Sequence, residues 1–369
     1  MKATAAIVRH VGGPFTLEDI DVAAPLGSEV MVRMYGVGMC HTDLVARDGF
    51  PVPLPIVLGH EGSGVVEAIG PDVKSLAVGD HVVLSFDSCD HCPTCAEHLP
   101  AYCHNFMAHN FAGVRLTGGA PSSLSQGDQI VHGNFFGQSS FASHAIAHER
   151  NAVKVAKDLP LALLGPLGCG VQTGAGAAVL SLGLKAGQSL AIFGGGAVGL
   201  SALLGARAVD AGTVIVIEPN AARGKLALEL GATHVINPRE CDDVLARIKE
   251  LSGGAVNHAL DTTGIPAVIA IAVETMGPNG MLGLVAVPPP EAMLPANMMS
   301  MLLRGAGVKY ITEGDADPQT FIPRMIEWYK AGKFPFDRLI KTFRFDQINE
   351  AAHASETGDA IKPVLLFEV

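Results

Sequence analysis

The residues of this chain best equipped for chemistry are its seven cysteines, and four of them crowd into one stretch, "SFDSCDHCPTCAEHLPAYCHN". Cys89, Cys92, Cys95 and Cys103 follow the spacing C-x2-C-x2-C-x7-C. Thiolates so spaced can wrap one tetrahedral ion on a single lobe, and four sulfur ligands leave no open position for substrate or water, so a zinc held there is a staple. Left unliganded, four clustered thiols would oxidise readily. Three cysteines remain: Cys40 in "GMCHTD", Cys169 in "GCGVQTG" and Cys241. Cys40, Cys169 and His60 (in "LGHEG") are further potential ligands. Their spacing does not unite three distant segments, and each taken singly is more often a packed core residue.

A second pattern concerns phosphate. "GGGAVG", Gly194–Gly199, fits G-x-G-x-x-G. It follows the apolar run "QSLAIF", opens the small-residue stretch "AVGLSALLGARA", and precedes a second apolar run, "TVIVIE", that ends at Glu218. In such a unit Gly194 permits the tight turn, Gly196 lets the backbone approach a pyrophosphate at a helix N-terminus, and Gly199 allows close helix–strand packing. Glu218 would accept hydrogen bonds from the adenosine ribose hydroxyls and repel a 2′-phosphate, which favours NAD over NADP.

These groups need two kinds of scaffold. Up to about residue 170, short β-branched runs such as "EVMVRMYGVGMC", "GSGVVEAIG" and "GDHVVLSF" are broken by glycine and turn residues, which reads as a mostly-β domain. The polar loops around 104–130 resist assignment. From 171 to 312 strands alternate with helices, the signature of a parallel sheet covered on both faces. Two amphipathic helices and a last strand, "PVLLFEV", follow, and pattern alone leaves open which sheet that strand joins. The chain has 369 residues, enough for two domains, and 49% hydrophobic content, which excludes general disorder. Its net charge of −11 without a basic stripe excludes a nucleic-acid binder. No apolar run has the length of a membrane span, and the start lacks the h-region of a secretory signal, so a cytoplasmic location with reduced thiols is expected.

The stretches "GVGMCHTDL", "LGHEGSGVV", the cysteine quartet, "GPLGCGVQTGAGA" and "FGGGAVGLSALLGARA" together make the chain resemble a zinc-containing medium-chain alcohol dehydrogenase over essentially its whole length. "ITEGDADPQTFIPRM", "GKFPFDRLI" and "AIKPVLLF" further resemble the bacterial branch of aryl-alcohol (benzyl alcohol) and geraniol dehydrogenases. The resemblance implies an α/β chain: a GroES-like β domain, 1–170, completed by 313–369, and a Rossmann NAD-binding domain, 171–312. It implies a catalytic zinc on Cys40, His60 and Cys169 with the fourth position open, and Glu61 as a carboxylate able to approach the metal. Asp43 matches the acid that holds the ligand histidine in its tautomer, and Thr42 the hydroxyl that takes the alcohol proton. His41 and Lys362 match cationic positions at the cofactor pyrophosphate, Thr173 and Val198 residues behind the nicotinamide, and Arg223 a basic side chain near the ribose.

One position departs from the family: Val45 stands where well-known members end the proton relay with a histidine. The family's pocket positions fall near Phe50, Pro51, Ser85, Met107, Phe135, Phe136 and Val287, an apolar set suited to a flat, unsaturated primary alcohol oxidised to its aldehyde. Any one of these residues is about as often plain core. Two alternatives stay open: a polyol or glutathione-linked formaldehyde dehydrogenase of the same superfamily, and a catalytically silent zinc- and nucleotide-binding scaffold. The resemblance favours a homodimer or homotetramer, and "GVKYITE" reads as an edge strand able to pair across a two-fold axis. Cys241 reads as an inert thiol, His91, His98, His104 and His109 as the surface of the cysteine lobe, and Trp328 as a helix packing residue.

Overall fold

The computed structural model describes residues 1–289 and 291–368. The chain divides into two compact units, one of Met1–Cys169, Asp317–Pro323 and Leu339–Val369, the other of Gly170–Ala316 and Arg324–Arg338.

The first unit is organised around the strand Glu29–Gly38, whose alternating valines and methionines are almost all buried. Along one edge it pairs antiparallel with Glu61–Ile69, in a register that sets Gly38 opposite Glu61. Along the other it pairs first with His144–His148 and then with the chain's last strand, Lys362–Leu366. The strand left open by pattern therefore returns to the β domain, antiparallel to Glu29–Gly38 and parallel to Ile340–Arg344. Two consequences position the site: the central strand ends beside Cys40, and its partner begins at His60 and Glu61. A second sheet, in the order Ile56–Val57, Lys2–Val8, Thr16–Val22, Leu124–Gln126 and Gln129–Val131, is antiparallel throughout. The segment that resisted assignment supplies its last hairpin and a short helix, Phe106–Asn110.

In the second unit six parallel strands lie in the order His234–Ile236, Val214–Ile217, Leu190–Phe193, Val256–Asp261, Met276–Leu284, Gly307–Tyr310. The chain starts at the centre, runs outward, then returns to build the other half, so the order reverses at Leu190–Phe193, the usual place for a nucleotide in such sheets. The strands Leu190–Phe193 and Val214–Ile217 are buried at every position, as a sheet covered on two faces requires. The helix Ala221–Glu229 starts at Asn220, whose side-chain oxygen accepts from the N–H groups of Ala222 and Arg223.

The boundary at 312/313, which gave all of 313–369 to the β domain, needs correction. Residues 313–316 and 324–338 belong to the second unit. Trp328 packs on Phe334 and Tyr329 on Phe336, while Arg338 pairs with Glu229 at 2.6 Å and Lys333 lies 3.7 Å from Asp210, tying this stretch to the helices of the parallel sheet.

Candidate active site and metal centres

The four sulfurs of Cys89, Cys92, Cys95 and Cys103 lie within 4.8 Å of one another, and all four residues are buried and reduced. Backbone N–H groups point at them: Cys89 and Asn105 donate to Cys103 Sγ at 3.3 and 3.4 Å, and His104 to Cys92 Sγ at 3.5 Å. The Thr94 hydroxyl, then the His104 N–H, hold the Cys92 thiol down to about 5. Donors aimed at sulfur, with four sulfurs converging, fit a tetrahedral zinc. Of the four histidines assigned to this lobe's surface, His91, His98 and His104 are exposed, but His109 is not. Its Nδ1 lies 2.7 Å from the buried carboxylate of Asp87, which Arg150 also grips at 2.6 and 2.8 Å. A buried acid beside a basic ring draws that ring inward, and nothing in the spacing reveals it.

A second cluster gathers Cys40, His60, Glu61 and Cys169, again with ligand atoms within 4.8 Å of one another. Cys40 caps the helix His41–Asp48, and Asp43, in the first turn of that helix, reaches back to it. Asp43 Oδ2 accepts the Cys40 N–H at 2.9 Å, while Oδ1 accepts the Gly59 N–H at 3.0 Å and lies 2.9 Å from His60 Nδ1. With Nδ1 so engaged, His60 Nε2 is the nitrogen left for a ligand, and it is buried with no hydrogen-bond partner. A solitary buried nitrogen among two thiols and a carboxylate is a poor arrangement for an empty core and a good one for a divalent cation. The thiol of Cys40 is drawn well below its usual range, chiefly by a hydrogen bond from Cys169, with Lys362 and His60 adding to it against the opposing effect of burial. Burial would lower His60, but the charge and hydrogen bond of Asp43 outweigh it. Burial pushes Glu61 up, against the pull of Lys362. Thr42 Oγ1 sits 3.7 Å from Cys40 Sγ, at the edge of the cluster.

Lys362, matched to a cofactor pyrophosphate, also pairs with a carboxylate of this cluster. Its ammonium is buried against Glu61, 2.8 and 2.9 Å from the two oxygens, and 3.3 Å from the Met39 carbonyl. Gly38 makes room for this pair, since a Cβ there would lie 2.0 Å from Glu61 Oε2. His41 is exposed.

One face of His60 is walled by phenylalanine. Phe136 stacks on the imidazole with centroids 4.4 Å apart, and Phe135 meets it edge-on at 5.5 Å. Phe111 touches Phe135, Phe136 and Phe50, and Phe106 bridges to Phe86. Of the pocket residues read from sequence, Phe50, Phe135 and Phe136 therefore come together. Pro51 is exposed, Met107 is 56% exposed, and Val287 is 90% exposed and lies in the second unit. Ser85 is fully buried, its hydroxyl donating to the Gly168 carbonyl at 2.6 Å. Phe86, Phe106 and Phe111 escaped the sequence reading. Their signal was the density of phenylalanine on both sides of the short helix.

In the second unit the glycine loop is built as its motif requires. Gly194 has φ +100°, and a Cβ on Gly199 would lie 1.9 Å from the Gly194 carbonyl, whereas the space above Gly196 is open. Glu218 ends its strand 5% exposed. Its Oε2 accepts the Gly195 N–H at 2.6 Å and its Oε1 the Asn220 N–H at 2.7 Å, so the carboxylate is fixed beside the loop. Gly174, the residue after Thr173, packs on Val198: a Cβ on Gly174 would lie 2.0 Å from the Val198 carbonyl. Arg223 is half-buried in the first turn of its helix, and Cys241 packs at the margin of the core under the parallel sheet.

The alcohol dehydrogenase GroES-like domain matches residues 27–157 and the zinc-binding dehydrogenase domain residues 197–331. The chain is 59% identical over 367 residues to a geraniol dehydrogenase of Castellaniella defragrans, covering 100% of this chain and 98% of that one. Its fold superposes with a TM-score of 0.97 on an alcohol dehydrogenase zinc-binding domain protein from Burkholderia ambifaria, at 49% identity. With the benzyl alcohol dehydrogenase of Acinetobacter calcoaceticus the TM-score is 0.95 at 44% identity, and both pairs are covered over 100% of each chain. Likeness of this degree, unbroken from end to end, makes the chain a member of the zinc-containing alcohol dehydrogenases, in the branch of the geraniol and benzyl alcohol enzymes.

Proposed function

We propose that this dehydrogenase oxidises primary benzylic and allylic alcohols of the benzyl alcohol and geraniol type reversibly to aldehydes, with NAD as acceptor. The observation that carries the substrate class is the aromatic wall: six phenylalanines linked ring to ring, ending in Phe136 stacked on His60. A flat, conjugated hydrocarbon gains dispersion and edge-to-face contacts there, whereas a polyol finds few hydrogen-bonding groups.

Cys40, His60 and Cys169 are the residues suited to hold the catalytic zinc, with Glu61 beside them, and the cysteine quartet to hold a structural one. When bound, the zinc supplies Lewis acidity that brings an alcohol's pKa toward neutrality, and NAD takes up the hydride. Asp43 fixes the tautomer of His60 and, through the Cys40 N–H, the angle of the first thiolate. Thr42 Oγ1 is suited to accept the alcohol's O–H while passing its own hydroxyl proton on toward water, since Val45 stands where a relay histidine would take it. Lys362 neutralises Glu61, so the buried carboxylate does not compete permanently for the metal. In the second unit the glycine loop and Glu218 are suited to the pyrophosphate and adenosine ribose of NAD, and the rigid carboxylate disfavours the 2′-phosphate of NADP.

The work takes place in the cytoplasm, where free thiols persist, and in a homodimer or homotetramer. The edge strand Gly307–Tyr310 and the helix Met298–Arg304, with Met298, Met299, Leu302 and Leu303 all exposed, support a self-complementary contact. NADH formation from benzyl alcohol, geraniol, sorbitol and hydroxymethylglutathione, measured with zinc content, tests the reading. Preference for either of the last two, or no turnover by a fully zinc-loaded protein, refutes it.

A further inference from the structure

Asp43 links Cys40 to His60. We propose that Gln138 does the corresponding work between His60 and Cys169, as a positioning residue for the metal ligands; the proposal rests on the reading that these residues hold the catalytic zinc.

Gln138 is 2% exposed, and its carboxamide spends both donors and its oxygen on the site's backbone. Its Oε1 accepts the Gly62 N–H at 3.1 Å, and its Nε2 donates to the His60 carbonyl at 2.9 Å and the Ser85 carbonyl at 3.1 Å. Ser85 then carries the connection onward, its hydroxyl donating to the carbonyl of Gly168, the residue before Cys169, at 2.6 Å. Three hydrogen bonds thus run from the His60 carbonyl to the peptide that precedes Cys169. The second donor on Ser85's carbonyl, Asn151 Nδ2 at 3.1 Å, fixes the intermediate station. Gly62 completes the fit, since a Cβ there would lie 2.8 Å from Ser140 Cβ and 3.1 Å from Gln138 Oε1.

The loop that presents Gln138 is built at a conformational cost. Asn134, Phe136, Gly137 and Ser139 all have left-handed φ, between 52° and 63°, and two of them, Phe136 and Ser139, carry side chains that rarely accept it. Such backbone persists only where its surroundings over-determine it. Here Ser139 Oγ donates to the Val57 carbonyl at 2.6 Å and accepts the Phe135 N–H at 3.0 Å, and Ser140 N–H donates to the Gly59 carbonyl at 2.9 Å. What the loop delivers is paired: the ring of Phe136 on the imidazole of His60, and the carboxamide of Gln138 on its backbone. Glutamine alone among side chains of this length offers one acceptor and two donors in this plane. Glutamate would face two carbonyls with a negative charge, and leucine would take away the donor to the His60 carbonyl, the acceptor of the Gly62 N–H and one of the two donors to the Ser85 carbonyl.

The test uses zinc-loaded wild type, Q138L, Q138E and S85A. Zinc per chain is measured first, then release to 4-(2-pyridylazo)resorcinol is followed in time, and the sulfur-to-cobalt charge-transfer bands are recorded after exchange with Co(II). Supporting groups of this kind typically change metal affinity about 10- to 100-fold. Q138L and Q138E are expected to release one zinc per chain about tenfold or more faster and to shift the cobalt bands, with the slower zinc unchanged; S85A follows in the same direction. Wild-type release and bands in folded variants overturn the proposal, as does equal acceleration of both zinc ions, which marks general loosening. If Q138L does not fold, Q138E and S85A decide on the same criteria. A wild type that binds a single zinc overturns the two-zinc reading itself, and is thereby distinguished from failure of the role of Gln138.

Discussion

Phe136→Leu separates the aromatic wall from mere packing. The phenylalanine ring contacts His60 at 4.4 Å, Phe135 and Phe111 at 5.0 Å, and Phe106 at 6.4 Å between centroids. Leucine fills most of the volume but forfeits the ring–ring terms, each worth about 0.5–1.5 kcal/mol beyond area burial. Wild type and variant share the left-handed φ of 52° at this position, so backbone strain largely cancels. The stability loss is about 2–4 kcal/mol, below the about 3–5 kcal/mol of a full Phe→Ala truncation. For a unit of this size that is a fall in Tm on the order of 5–15 °C. A flat substrate that also rests on the wall loses one further aromatic contact. The kcat/KM for benzyl alcohol, relative to a short saturated primary alcohol, then falls about two- to tenfold. The assay is thermal melting together with both kcat/KM values on protein of verified zinc content. A Phe136→Leu enzyme with reduced Tm and an unchanged substrate ratio would show that the ring packs the core and does not meet the substrate. An unchanged Tm would refute the packing argument as well.

Other perturbations address separate parts of the molecule. Cys40→Ala is expected to lose one zinc and abolish turnover while NADH still binds, as read by fluorescence titration; normal turnover by the folded variant would sink the ligand assignment. Cys92→Ser is expected instead to lower Tm or assembly first, and a variant that loses turnover at unchanged Tm and assembly would contradict the staple. Glu218→Gln removes the charge beside the glycine loop, so the ratio of kcat/KM for NADP over NAD should rise about tenfold, and a fixed ratio counts against that carboxylate as the selector. Asp87 supplies a pH dependence. Burial raises its pKa, but the hydrogen bonds and charges of His109 and Arg150 outweigh this and leave it below the usual value. A depressed folded pKa gives stability that is present above the unfolded value of about 3.9 and is lost as pH falls through the folded one. Asp87→Asn should therefore flatten acid unfolding below about pH 4 while costing about 3–5 kcal/mol at neutrality by breaking the buried pair. Equal acid sensitivity of the two proteins would refute this.

Much of the site was legible because metal ligands and phosphate loops are local in sequence. The cysteine quartet spans one lobe, and the glycine loop, its strand and Glu218 form one continuous unit. The trio of Cys40, His60 and Cys169 was not readable from spacing, because sheet register brings Cys40 to His60, and the turn Gly165–Gly168, packed on Glu61 and Leu84, brings Cys169. Only the family resemblance supplied it. Two kinds of residue escaped. Gln138 acts through backbone carbonyls far away in the chain, which leaves no mark on the sequence. Phe106 and Phe111 lie in a segment whose polar residues hid a short helix. Lys362 was matched to the cofactor pyrophosphate and His109 to the surface of the cysteine lobe, and each also faces a buried carboxylate, Glu61 and Asp87. Charge pairing inside a fold cannot be read one residue at a time.

The ion pair between Glu61 and Lys362 also sets an order of events during synthesis. Glu61 is made early and is fully buried in the finished unit, but its counter-charge is 301 residues downstream, on the strand Lys362–Leu366. Until that strand docks beside Gly36–Gly38, the nascent β domain holds a carboxylate it cannot bury without penalty and an open sheet edge. The residues of the intervening parallel-sheet unit have by then been synthesised. Maturation of the metal site is thereby made a late event, and a message truncated only a few codons before Lys362 would yield a chain with every zinc ligand in place and no finished pocket to hold them.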